Sequence, residues 1–273
     1  MIRVLHDGVP CADELAHSRA LHYGDGVFRT MLWSGGGIVD WALHMDKLAA
    51  DCAALRLDCP SPSRLAAETG RVVSGAADHA VKLIVARRPG ERGYRPTTSA
   101  SEHWLYAYPL APAAVTPYRS GARLAFSDVV LSEQALLAGV KHLNRLDQVL
   151  ASRNWPDGID ELLMCDRDGH VISGTRSNLF CITGQRLLTP ALDRCGVAGI
   201  MRRRIIDCAS ELGLHVMVAP LTADALRQSD EAFVCNALIG VWPVQSLAGR
   251  IWAAPGAATH RLMQFLRHPR TPL

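Results

Sequence analysis

LLAGVKHLNRLDQVL, Leu136 to Leu150, sets one lysine between apolar neighbours at the entry to a periodic segment. Val140 and Leu143 flank Lys141. Leu143, Leu146, Val149 and Leu150 recur at helical spacing, so a helix with one apolar face is predicted after the lysine. Burial disfavours the charged form of an amine, so a lysine in such surroundings has its ammonium pKa lowered. A neutral amine can attack an aldehyde and hold it as an imine. The plainer alternative is a lysine that caps the preceding strand with its head in solvent.

Composition sharpens the interest in that residue. Of the 29 basic side chains only Lys47, Lys82 and Lys141 are lysines, and the rest are arginines. Arginine cannot replace lysine where a primary amine must lose its proton and react. Net charge is only +3 and no block of like charge occurs, which argues against nucleic acid or an anionic membrane as the main partner. No apolar run reaches the ~20 residues that span a bilayer. The opening MIRVLHDGVP has no apolar secretion core, so a cytoplasmic protein is expected. Eight cysteines form no CxxC pair and no zinc-finger spacing, so no metal is expected. Several lie in apolar runs and read as buried hydrophobes in a reducing compartment.

A length of 273 residues suits one large or two medium domains. IRVLHDG reads as a strand and turn, and residues 43–57 as an amphipathic helix through Met45, Leu48, Cys52 and Leu55. AVKLIVAR and WLYAY read as strands, with the loop RPGERGYRP between them. Prolines cluster near residues 109–117, so the expected organisation is an N-terminal domain 1–112, a linker 113–120 and a C-terminal domain 121–273 carrying Lys141. Strands follow at ARLAFS, ELLMCD, NLFCI, QRLLT and EAFVCN, with a helix from about Ile200 to Leu212 stopped by Gly213. Helices and strands mix in both halves, which excludes all-α and all-β classes.

CGVAGIMR, Cys195 to Arg202, is a glycine-bearing loop that enters this helix. Free N–H groups and the dipole at a helix N-terminus suit a phosphate. Gly196 and Gly199 let the backbone approach closely. An amine and a phosphate cradle together are the parts of a pyridoxal phosphate site.

RALHYGDGVF, RGY, GVKHLNRLDQVL, SNLF, TPALDRCGVAGIMR and CNALIGVWPV occur in this order. Together they resemble the fold-type IV pyridoxal-phosphate enzymes over about residues 3–250. That family includes branched-chain and D-amino acid aminotransferases and 4-amino-4-deoxychorismate lyase. KHLNRLDQVL and NALIGVWPV are similar to the lyase members. The resemblance implies an α+β chain of two mixed α/β domains, like D-amino acid aminotransferase, working as a homodimer on pyridoxal 5′-phosphate. It implies elimination of pyruvate to give 4-aminobenzoate for folate synthesis, with amino-acid transamination as the alternative. Lys141 looks like the lysine that holds the cofactor and moves the substrate proton. Gly199, Ile200 and Met201 look like its phosphate cradle, Asn236 and Ala237 like a second backbone contact, and Asn178 like a further cofactor residue. Phe28, Arg92 and Tyr94 match positions near the substrate. Lys82, in a strand, reads as structural.

Two positions depart from the family pattern. Where the family writes HxxRL, this chain writes HMDKL, so Lys47 stands where an arginine reaches phosphate. Lysine supplies a point charge without the bidentate fork, and looser cofactor binding is expected. Four residues after Gly169 the family has a glutamate that pairs with the pyridine nitrogen, and this chain has Ser173. A hydroxyl brings no charge to that nitrogen, so the ring is a weaker electron sink. Expelling a leaving group needs that sink less than transamination does, so Ser173 points toward elimination.

Overall fold

The computed structural model of the protein describes residues 3–10, 18–91 and 93–272. The chain divides into two compact units: Met1–Pro112 with Val140–Asn144, and Ala113–Gly139 with Arg145–Leu273.

The first unit is a six-stranded sheet carrying helices. In chain order it contains β1 (Arg3–His6), β2 (Val9–Pro10), α1 (Arg19–Tyr23), β3 (Gly26–Ser34), β4 (Gly37–Ile38), α2 (Trp41–Ala54), α3 (Pro62–Val72), β5 (His79–Arg87) and β6 (Ser101–Pro109). The strand order is β2-β1-β6-β5-β3-β4, antiparallel throughout. Strand alternation gives the sheet two characters. Val27, Met31, Val81, Leu83, Val85, Leu105 and Ala107 form one buried cluster with Met45, Leu48 and Cys52 of α2 and Leu65 and Val72 of α3. The opposite face presents Phe28, Thr30, Lys82, Ile84, Tyr106 and Tyr108, all half-buried, together with the buried Trp104 that pairs with Ile84.

The second unit comprises α4 (Thr116–Arg119), β7 (Ala122–Val130), α5 (Leu146–Ala151), β8 (Glu161–Cys165), β9 (Val171–Gly174), β10 (Asn178–Thr183), β11 (Arg186–Pro190), α6 (Ile200–Cys208), β12 (His215–Ala219), α7 (Ala223–Gln228), β13 (Glu231–Asn236), β14 (Gly240–Leu247), β15 (Arg250–Ile251) and α8 (Ala257–Leu266). Its sheet runs β12-β11-β10-β13-β14-β7-β8-β9, with β15 on β14 and a mixture of parallel and antiparallel pairs. The continuous apolar runs NLFCI and EAFVCN are buried on both faces, as such runs predict. Phe180, Ile182, Phe233 and Cys235 pack toward α6 and α8, while Leu179, Cys181, Ala232 and Val234 join a second cluster with Leu226 of α7 and Trp252.

Three expectations change. Lys141 groups with the first unit, not with the C-terminal domain, because its segment pairs with β3: Phe28 N–H donates to Lys141 O at 2.9 Å and Leu143 N–H to Gly26 O at 3.0 Å. That pairing keeps the chain extended past Leu143, so the helix begins only at Leu146. Its apolar side chains Leu146, Val149 and Leu150 are exposed at 73%, 57% and 46%. The segment expected as a linker holds α4, whose Tyr118 is buried and donates to Ile239 O at 3.0 Å. Among the described cysteines all are free, and all but exposed Cys59 and half-buried Cys165 are buried. Cys11 lies outside the described residues.

Candidate active site

The first unit gathers amine and charge around β3. The turn before that strand is built by glycine. Gly24 caps α1 at φ 61°, and a Cβ there would stand 2.4 Å from Asn144 Oδ1. Leucine or alanine at Gly24 would therefore displace the Asn144 side chain and strain a left-handed backbone. On the half-buried face, the Lys141 ammonium lies 4.5 Å from the centre of the Phe28 ring and that of Lys82 5.4 Å from the same centre. A cation over an aromatic face is stabilised by roughly 0.5–2 kcal/mol.

On the core face, Arg29 and Asp51 are 2% and 1% exposed. Arg29 Nη2 donates to Asp51 Oδ2 at 2.5 Å, and its Nε to Phe28 O at 2.9 Å. Lys47, one turn before Asp51 on α2, pairs with Asp51 Oδ1. The backbone N–H of Lys141 donates to Asp51 Oδ2 at 3.3 Å. Two cations thus share one carboxylate. Burial lowers both the Lys47 ammonium and the Arg29 guanidinium, and Asp51 opposes each shift. His44 is 2% exposed, and neither ring nitrogen has a hydrogen-bond partner among the described residues. Burial pushes its pKa down to about 3, helped by the charges of Arg29 and Lys141.

The second unit supplies a helix entry. Gly199 caps α6 and has no side chain of its own to accept from the first turn. The first turn of a helix has no intrahelical acceptors for its N–H groups, so those of Ile200 and Met201 can serve an anion. Gly199 N–H itself donates to Asn178 Oδ1 at 3.1 Å, and Asn178 Nδ2 donates to Val197 O at 2.8 Å. Asn178 thus shapes the loop, and a Cβ at Gly199 would stand 2.4 Å from its Oδ1. Gly139 and Ala198 N–H groups donate to Gly196 O and Gly139 O, both at 3.0 Å, which pins the same loop. Asn236 turns its Oδ1 onto its own chain, accepting from Leu238 N at 2.8 Å and Ile239 N at 3.0 Å, with Ala237 inside that turn.

Ser173 is buried on β9, and its hydroxyl donates to Gly174 O at 2.9 Å. Its proton is therefore committed to the backbone in this arrangement. The neighbouring carboxylate is Glu161, 1% exposed on β8, which the sequence reading passed over. It accepts from Thr175 Oγ1 at 2.6 Å, Ser177 Oγ at 2.8 Å and the N–H groups of Leu162 and Thr175. Glu161 is a fastener of the turn after Ser173. Tyr94 is 87% exposed and meets the edge of Tyr23 at 5.5 Å. Its loop is tied down by Arg19, which donates to Gly93 O and Tyr94 O and pairs with Asp25 at 2.9 Å. Arg92 lies outside the described residues.

Residues 26–247 match the amino-transferase class IV family. The chain belongs to the class IV aminotransferases. Aminodeoxychorismate lyase of Vibrio harveyi is 30% identical to this class IV chain over 245 residues, 89% of the chain and 90% of that protein. The crystal structure of 4-amino-4-deoxychorismate lyase from Pseudomonas aeruginosa superposes with a TM-score of 0.89 at 35% identity, covering 97% of this chain and 98% of that one. The branched-chain amino acid aminotransferase of T.th., solved with pyridoxamine 5′-phosphate, gives 0.81 at 25% identity over 99% and 95%. The fold is accordingly fold-type IV, and the class IV chain is a pyridoxal-phosphate enzyme acting on a small molecule. No helix among the described residues is long and apolar enough to cross a membrane.

Each unit, taken by itself, carries groups whose chemistry suits that cofactor. In the first unit Lys141 is an amine able to bond an aldehyde, and Lys47 and Arg29 carry positive charge in excess of Asp51. In the second unit the entry of α6, which a Cβ at Gly199 would crowd, suits a phosphate.

Proposed function

We propose that the chain is an aminodeoxychorismate lyase, which releases pyruvate from 4-amino-4-deoxychorismate and leaves 4-aminobenzoate for folate synthesis. The observation that carries this reading is likeness to two lyases across nearly the whole of both chains. Lys141 is the lysine that binds the cofactor. Lys47, Asn178, Gly199, Ile200, Met201, Asn236 and Ala237 hold the cofactor, with Ser173 near its ring. Phe28, Arg92 and Tyr94 serve the substrate.

Bound pyridoxal 5′-phosphate supplies an aldehyde for the substrate amine and a ring that takes up an electron pair. The chain's own residues do the rest. The Lys141 amine would remove the proton from the amine-bearing carbon. The neighbouring carbon–oxygen bond then breaks, the enolate of pyruvate leaves with its oxygen and takes the proton that Lys141 removed, and the substrate's carbon ring becomes aromatic. Phe28 faces the Lys141 ammonium and orients it. Asp51 fixes the backbone from which Lys141 projects. A neutral His44 keeps a third cation out of this cluster.

The enzyme works as a cytoplasmic homodimer in this reading. The exposed Leu146, Val149 and Leu150 of α5 offer an apolar face to a second copy, and the free cysteines suit a reducing compartment. The second reading, a branched-chain or D-amino acid aminotransferase, is favoured by the likeness to the branched-chain enzyme. The deciding experiment supplies aminodeoxychorismate, made in place from chorismate and glutamine, and measures 4-aminobenzoate. Parallel incubations contain branched-chain or D-amino acids with 2-oxoglutarate. Rapid glutamate formation without 4-aminobenzoate selects the second reading.

A further inference from the structure

Lys82 is the lysine that the sequence left without a task. It sits at the centre of β5, opposite Thr30 of β3 and Tyr106 of β6. Directly paired residues of antiparallel strands share a face, so these three stand together on the half-buried side, away from the hydrophobic core. Phe28 and Ile84 form the next pair along the same face. Among the described residues Lys82 forms no ion pair, and its ammonium stands against the Phe28 ring. That ring also meets the ammonium of Lys141. A lysine ammonium carries three N–H donors, which suit an anionic ligand. Here it stands on the aromatic ring that orients the reactive amine, opposite Thr30, whose hydroxyl is able to bond an anion's remaining lone pairs.

We propose that Lys82 binds a carboxylate of the amine substrate and so sets its orientation toward Lys141. The ligand class is a cyclic, carboxylate-bearing amine. Lys82 supplies one point charge on a flexible stem, with Thr30 and Tyr106 on either side. The proposal rests on Lys141 being the lysine that holds the cofactor. Its test is built to fail separately from that reading.

The probe is isophthalate, an unreactive aromatic dicarboxylate, titrated into the holoenzyme while the visible cofactor band is followed. The wild type, Lys82→Gln and Lys82→Arg are compared. Losing one charge-assisted contact should weaken isophthalate roughly ten- to hundredfold in Lys82→Gln, with partial recovery in Lys82→Arg. With aminodeoxychorismate as substrate, KM should rise by a similar factor while kcat falls much less. The visible band should persist in both variants, which also verifies their folding. Equal isophthalate affinity in wild type and Lys82→Gln overturns the proposal. So does a shifted pH titration of the band with unchanged affinity, because Lys82 would then act only on the charge of Lys141. Failure of Lys141 itself reads out differently, as a visible band retained in Lys141→Ala.

Discussion

Asp51 accepts the backbone N–H of Lys141 at 3.3 Å on the oxygen that also takes the Arg29 guanidinium at 2.5 Å. The reactive segment is therefore anchored to α2 through a buried carboxylate. Removing one partner of a buried ion pair leaves an uncompensated charge and costs about 3–5 kcal/mol. Asp51→Ala is expected to lower urea-unfolding stability by about that much and to weaken cofactor binding. Replacing the pair together, Arg29→Met with Asp51→Leu, should recover much of the stability but not the cofactor affinity. Full recovery of both would show that the anchor does nothing for the cofactor.

Gly199→Ala places a methyl where Asn178 Oδ1 already stands 2.4 Å away. Overpacking of this kind costs about 1–3 kcal/mol. The loop entering α6 should shift, and the dissociation constant for pyridoxal 5′-phosphate, measured by fluorescence titration of apoenzyme, should rise roughly tenfold or more. Gly213→Ala is the comparison. It has positive φ and nothing within 4 Å, so it adds backbone strain without a clash and should leave cofactor affinity unchanged.

His44 carries a pH dependence of stated sign. Its ordinary value is 6.5 and its folded value is about 3, so the native state favours the neutral ring. Its stabilising contribution is fully present above pH 6.5. It is lost as pH falls from 6.5 toward 3, because the unfolded chain takes up a proton that the folded chain refuses. The slope approaches about 1.4 kcal/mol per pH unit within that window. His44→Phe should flatten the stability profile between pH 6.5 and 5, above the range where carboxylates titrate. An unchanged slope would remove His44 from the acid response.

Ser173→Glu should raise transamination relative to lyase activity under the proposed role of residue 173 near the cofactor ring, since a carboxylate at the ring nitrogen would make a stronger electron sink. Ser173→Ala should leave that ratio nearly unaltered, because the native hydroxyl proton is committed to Gly174 O. Product ratios under identical substrate mixtures decide the matter. A ratio that does not move in Ser173→Glu contradicts the electron-sink argument.

Much of this arrangement was legible in the chain. NLFCI and EAFVCN read as strands because a short, continuous apolar run must be buried on both sides, and it is. The entry to α6 was visible because glycine before a helix has few other uses. Arg29, Asp51 and Glu161 were not visible. Each is an ordinary charged residue inside a strand or helix, and its meaning arises only when separate elements bring it against a partner. Lys82 failed the same way, since nothing in AVKLIVAR says which face of the sheet Phe28 shares. Apolar spacing alone starts the helix after Lys141 too early, because it cannot register the bond from Leu143 N–H to Gly26 O. The exposed apolar residues of α5 show the converse: periodicity marks a face to be covered without saying what covers it.

The central claim is that Lys141 holds the cofactor and carries the elimination. The most direct measurement follows 4-aminobenzoate release and the visible cofactor band together, in wild type and Lys141→Ala, with aminodeoxychorismate supplied. The wild type should show both the band and steady product, and Lys141→Ala should lose both while retaining its fold. A visible band and undiminished 4-aminobenzoate in Lys141→Ala would contradict the account.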